Sequence, residues 1–255
     1  MSIETRSRST LQVGDRRKSR HARVTSLLAE SGTALPTDTS LLGPAAAELL
    51  APLSVSAPAV REHMSWTTHN PVGLDDSVRA ESVITRVVAE RDTTMLVRRV
   101  TLHDNVNSLR EESVETWRLR DGGSVPTVSA TDFCSAHWGA LVRDSLAADP
   151  GFSSSLATWD GTIGLRCDDR EIHLRVYRGR IIDVTRRAPQ GATFTFVAPG
   201  HTWVDVILGD REDFMRRAIT GEFSSTGNGY EYLRLTKPLN ILIAHARTIA
   251  REAQS

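Results

Sequence analysis

The stretch DGGSVPTVSAT at 121–131 constrains the fold most, because it divides the chain. It is small and polar and carries Gly122, Gly123 and Pro126, residues that punctuate a helix or strand rather than continue it. On either side the apolar residues recur in patterns suited to both strands and helices. A chain of 255 residues has room for two ordinary domains. The predicted organisation is a basic, flexible arm over 1–25, a domain over 26–120, a linker over 121–131 and a second domain over 132–255. The fold class expected of both domains is α+β.

In the second half, Ile172, Leu174 and Val176 alternate with Glu171, His173 and Arg175. That is the period of a strand with one buried face. Ile163, Leu165 and Cys167, then Ile182 and Val184, then Phe194 and Phe196, continue it. A helix is expected before these strands, with Asp132 as its cap, Trp138, Leu141, Val142 and Leu146 on one face, and Asp149-Pro150-Gly151 ending it. Two short helices are expected over 201–208 and from Asp210 to a stop at Gly221. Phe223 should open a short strand, and 225–229 a flexible turn. A closing helix carries Leu239, Leu242, Ile243, Ala246, Ile249 and Ala250 as one apolar stripe.

This order resembles the sterol-carrier-protein-2 (SCP2) family. FCSAHWGALVRDSLAADPGFSSSLATWDGTIGLRC looks like the family's opening helix and first strand. REIHLRVYRGRIIDV resembles its second and third strands, FTFVAPGHTWVDVILGD the next strand and helix, and FMRRAITGEFSSTGNG the approach to the last helix. The resemblance implies a sheet covered by helices, with an apolar tunnel between them that takes sterols, fatty acyl chains or acyl-CoA. Other relatives use the fold as an accessory or dimerisation domain.

In the first half, SLLGPAAAELLAPL at 40–53 predicts a buried Ala/Leu-rich helix, with Ser40 as cap and Pro44 in its first turn. From 61 to 120, strand-like stretches are separated by NPVGLD, RD and DNVNS, which carry turn residues. The opening LQVGDRRKSRHARVT, and HNPVGLDDSVRAESVITRV, are similar to MaoC-like hot-dog proteins. That resemblance implies an antiparallel sheet wrapped around a helix, and a homodimer. The catalytic hydratases of that family carry Asp, Asn-Pro and His before the helix. Here SGTALPTDTSLLGP supplies Asp38 alone, so hydratase chemistry, which needs both a base and an acid, is not expected.

The remaining residues narrow the function by exclusion. Basic and acidic side chains balance at 31 each, which disfavours a dedicated nucleic-acid binder. Cys134 and Cys167 are the only thiols, in no zinc-ligand spacing. They suit a reducing, cytoplasmic setting, and the Arg- and Ala-rich composition suits a bacterial source. No apolar run is long enough for a membrane span. His63, His69 and His103 read as strand or hairpin residues, and Asp75-Asp76 as a solvated turn. No G-x-S-x-G or phosphate loop is present. No catalytic residue, metal or cofactor is therefore expected. The aromatic residues of the second half suit an apolar pocket with few polar groups. Phe194, Phe196, Trp203, Phe214 and Phe223 are the expected ligand-binding residues. The leading expectation is non-catalytic binding of a lipid or acyl thioester. The alternatives are an acyl-CoA thioesterase or hydratase acting through the first half, and a structural or dimerisation protein.

Overall fold

The structure, a computed structural model, describes residues 11–34, 36–55, 57–120 and 128–254. The chain forms two compact units, 1–126 and 127–255.

The first unit is built on an antiparallel sheet. Its strands are β1 (Arg16–Lys18), β2 (Ala22–Arg23), β3 (Ala59–Thr68), β4 (Ser77–Glu90), β5 (Thr93–His103) and β6 (Leu109–Arg120). They lie in the order β1-β4-β5-β6-β3, with β2 also on β4. Helices α1 (Val24–Ser31) and α2 (Leu42–Leu50) lie on the inner face. Val24, Leu28, Leu42, Ala46 and Ala47 pack there with Val78, Ala80, Val100 and Leu102. This is a sheet around a helix, the hot-dog arrangement expected. Ala and Gly line the contact side of α2, and their small side chains let the helix approach the sheet closely.

Part of the expected basic arm belongs to this sheet. Arg16, Arg17 and Lys18 pair with Val83, Ser82 and Glu81, and Val24 is fully buried in α1. The ladder satisfies the backbone of these residues while their charged side chains stay in water, which a count of arginines cannot show. Residues 1–10 lie outside the described residues. Ser40 does not cap α2 by a side-chain bond. Instead Asp38 accepts from the Ser40 N–H at 2.9 Å and starts a 3-10 turn over Thr39–Leu41.

The second unit opens with α3 (Ala136–Leu146) and α4 (Pro150–Ser155). Its sheet comprises β7 (Asp160–Cys167), β8 (Arg170–Tyr177), β9 (Arg180–Thr185), β10 (Phe194–Ala198) and β11 (Ser224–Gly227). Helices α5 (Gly200–Leu208), α6 (Phe214–Ile219), α7 (Gly229–Arg234) and α8 (Thr236–Gln254) complete it. The order is β11-β10-β7-β8-β9, with β10 parallel to β7 and the other pairs antiparallel. Leu239, Leu242, Ile243, Ala246 and Ala250 of α8 are buried, so the stripe read in the sequence faces the core. Sheet and covering helices give the α+β, SCP2-like architecture expected.

Several boundaries move. Ser135, not Asp132, caps α3, accepting from Trp138 N at 3.1 Å. Asp149 begins a helix rather than ending one: it accepts from Phe152 N at 2.6 Å, and Pro150 occupies the first turn of α4, where proline's missing N–H costs little. The helix expected from Asp210 is α6 and starts at Phe214. Residues 225–227, expected as a turn, pair with β10. The linker expected over 121–131 falls mostly outside the described residues. Its last part, Val128–Thr131, belongs to the second unit, where Ala130 and Thr131 are buried.

Candidate functional site

Parallel pairing sets Phe194 opposite Ile163 and Phe196 opposite Leu165. Both rings face the same side because they are two apart on a strand. The chain turns at Pro199 into α5, which carries Trp203, and then into α6, which begins with Phe214. Phe223 immediately precedes β11, which returns to pair beside Phe196. All five expected residues are buried.

The rings of Phe196, Trp203, Phe214 and Phe223 form one network. Phe196 and Phe223 stack at 4.3 Å. Phe214 stands edge-on to both, at 5.4 and 5.6 Å. Trp203 stands edge-on to Phe223 at 5.5 Å and to Phe196 at 6.3 Å. The network continues to two residues outside the expected set: Trp138 lies 5.9 Å from Trp203, and Phe133 lies 6.2 Å from Trp138. Edge-on pairs each contribute about 0.5–1.5 kcal/mol beyond area burial. These rings are thus in mutual contact.

The polar handles differ. Trp203 Nε1 donates to the Arg166 carbonyl at 2.9 Å. Trp159 Nε1 donates to Glu231 at 2.7 Å. Trp138 Nε1 is buried and meets no acceptor among the described residues. An orphaned buried donor costs about 1–3 kcal/mol. The sequence signal for Trp138 was its place on the buried stripe of α3. Nothing in the sequence marks its N–H as unpaired.

Behind the aromatic face, His173 is buried and engaged at both nitrogens. Nδ1 accepts from Ala188 N at 2.8 Å, which leaves the proton on Nε2 to donate to Glu171 at 2.8 Å. Thr195 donates to the same Glu171 oxygen at 3.1 Å. On the helical side, Ser145 bonds His245 Nδ1 at 2.7 Å, and His245 Nε2 bonds Asp149 at 2.9 Å. The connectivity is that of a nucleophile, base and carboxylate. However, Asp149 is also the cap of α4 and Ser145 lies within α3, so the chain of bonds ties three helices together. The Phe152 N–H first, and His245 second, hold the Asp149 carboxyl below its ordinary pKa.

The residues weighed for acid–base work in the first unit are not assembled. Asp38 caps its turn, and that Ser40 contact lowers its pKa. Asp76 accepts from Gly73 N at 2.7 Å and from Arg110 at 2.9 Å, while Asp75 is exposed. His69 bonds Glu112 at 3.0 Å, His63 is exposed, and His103 bonds Thr101 at 3.0 Å. Among the described residues, no His, Cys, Asp and Glu group could hold a metal ion.

A polar stripe does lie buried in this unit, outside the residues the sequence singles out. Glu111, Ser113 and Glu115 of β6 are buried. Glu111 accepts from Trp66 Nε1 at 2.6 Å and Val72 N at 2.8 Å. Glu115 pairs with buried Arg98 at 2.6 Å and accepts from Trp117 Nε1 at 2.7 Å. The parity was available: Glu111, Ser113, Glu115, Trp117 and Leu119 share one face of a strand, and the last two mark it as the inner one.

No protein-family model and no curated protein matches the chain. Solved structures do. A crystal structure of sterol carrier protein 2 is 16% identical with a TM-score of 0.40, covering 46% of this chain and 98% of that one. A MaoC-like dehydratase from Rhodospirillum rubrum is 14% identical with a TM-score of 0.35, covering 45% and 96%. An (R)-hydratase from A. caviae, involved in PHA biosynthesis, is 17% identical with a TM-score of 0.30, covering 43% and 97%. The chain is thus similar to SCP2 and to MaoC-like hot-dog proteins, and the likeness is one of fold.

Proposed function

We propose that the second unit binds an apolar small molecule, a lipid or an acyl thioester, without chemistry of its own, among Phe194, Phe196, Trp203, Phe214 and Phe223. The observation that carries this reading is the buried Trp138 Nε1, which has no acceptor among the described residues, at the edge of the aromatic network. A ligand with an apolar body and one carbonyl or hydroxyl oxygen would bury its body against the rings and satisfy that donor. Because the rings touch, room must come from displacing one of them. Phe214 is the candidate. It sits on α6, a helix of 6 residues whose Met215 and Ile219 are exposed and whose Arg217 pairs with Asp205 and Glu222, so a ligand must compete with its ring contacts to Phe196 and Phe223. Each methylene then buried contributes about 0.8 kcal/mol, and several suffice for micromolar affinity.

The same ring contacts favour a second reading, a filled aromatic core with a structural role. One experiment separates them: displacement of a fluorescent fatty acid, with thermal melts, for the parent chain, Phe214→Asp and Trp138→Phe. The binding reading expects the parent to bind, Phe214→Asp to lose binding while still melting cooperatively, and Trp138→Phe to weaken oxygen-bearing ligands. No binding by the parent, together with loss of the cooperative melt in Phe214→Asp, is the outcome of a filled core, where an unpaired buried charge is prohibitive.

We further propose a homodimer formed through the first unit. Strand β3 is an edge of the sheet and is exposed along most of its length, including Val60 and Met64. An open edge of this kind is a template for pairing with a second copy. A monomeric mass by light scattering at micromolar concentration would refute it.

A further inference from the structure

We propose that the first unit carries a separate binding site for a small organic carboxylate, in a cavity beyond the C-terminal end of α2. The cavity follows from a mismatch of lengths. Helix α2 has 9 residues and β4 has 14. At about 1.5 Å per helical and 3.3 Å per strand residue, the helix covers only part of the strand. Past Ala51 the chain continues as Pro52, Leu53 and Ser54 and roofs a space of about 170 Å³ over the sheet. Its floor is set by register. Arg17 lies opposite Ser82, and Arg98 opposite Ile84, on adjacent strands β1, β4 and β5.

The lining has the chemistry of an anion site. Arg98 is 5% exposed. Its Nε donates to Glu115 at 2.6 Å and its Nη1 to the Ala51 carbonyl at 2.9 Å. Those two bonds fix the guanidinium and leave Nη2 without an acceptor among the described residues. Arg17 also lines the cavity and has no partner among the described residues, and Arg16 stands beside it. One carboxylate, Asp15, is present at the rim, with its Oδ2 taken by Gln12 N at 2.9 Å. The Arg98–Glu115 pair balances itself, which leaves the Arg17 guanidinium as the cation available to a ligand in this space. Leu11, Pro52, Leu53 and Ile84 supply apolar walls. Guanidinium groups held at fixed angles select planar carboxylates by paired hydrogen bonds, and the walls select a short apolar body. A space of about 170 Å³ suits a short acyl or aryl acid. This site is independent of the aromatic network in the second unit.

The test is calorimetric titration of the full chain with sodium benzoate, and with benzamide as the neutral isostere. The expected result is binding of benzoate and none of benzamide. Arg17→Gln should weaken benzoate about ten-fold or more, as loss of a charge-assisted hydrogen bond does, with an unchanged melting temperature because Arg17 is exposed. Arg98→Met should abolish binding. Arg98 also holds the end of α2, so Arg17→Gln is the decisive variant if Arg98→Met fails to fold. Equal binding of both compounds, no binding of benzoate, or unchanged affinity in Arg17→Gln overturns the proposal.

Discussion

Replacing Gly43 by alanine tests how the buried polar stripe holds the first unit together. Gly43 lies in the first turn of α2, and a Cβ there would sit 2.7 Å from Glu111 Oε1 and closer still to Cδ and Oε2. The carboxylate must then leave its place and release the Val72 N–H and the Trp66 indole. Val72 is buried, so its orphaned N–H alone costs about 1–3 kcal/mol. The indole is partly exposed and can recover some of its loss from water. With the displaced charge included, Gly43→Ala should destabilise the unit by about 2–4 kcal/mol. At roughly 4 °C per kcal/mol for a unit of this size, its melting transition should fall by about 8–16 °C. The sign should reverse in a Glu111→Ala background. There the new methyl enters vacated space, and alanine is favoured over glycine in a helix by up to about 1 kcal/mol. Circular-dichroism melts of the parent, both single variants and the double variant give the coupling, expected at about 3 kcal/mol or more. Equal costs of Gly43→Ala in both backgrounds would falsify the account, because the penalty would then come from the backbone and not from the Glu111 carboxylate.

Three further outcomes are expected. The depressed Asp149 carboxyl contributes stability that is present above its unfolded pKa, about 3.9, and is lost as pH falls through its folded value. Asp149→Asn should therefore flatten the acid limb of the stability profile below about pH 4, and an unchanged limb counts against the capping role. Enoyl-CoA substrates such as crotonyl-CoA should not be hydrated, because Asp38 is an exposed cap with no base–acid partner among the described residues; turnover abolished by Asp38→Ala would overturn this. Limited proteolysis should cut between Arg120 and Val128 and leave two folded fragments, whereas a resistant core running through that stretch contradicts independent domains.

The helix and strand periods were legible because they are local: alternation over Glu171–Val176 requires only a buried and an exposed face, wherever the strand is placed. The same holds for the apolar stripe of α8 and for the shared face of Phe194 and Phe196. Helix starts were less legible. Asp149 has the look of a terminator in the sequence and begins α4, since a capping aspartate and a turn aspartate differ only in the conformation of the next residues. The basic segment illustrates a stronger limit. Arg16 to Lys18 have the composition of a solvated arm, and only the distant partner β4 makes them a strand. The buried polar stripe and the cavity beside Arg98 depend on contacts between residues far apart in the chain. Gly43 meets Glu111, and Ala51 meets Arg98, because α2 packs on β4 and β5, next to β6. By itself, then, the sequence determined that the protein has two patterned halves and which side chains share each face. Tertiary structure alone decided which faces meet, that the aromatic rings touch one another, and that among the described residues the Trp138 donor and the Arg98 Nη2 have no acceptor. Pairing and orphaning are properties of three-dimensional neighbours, and local periodicity carries no information about them.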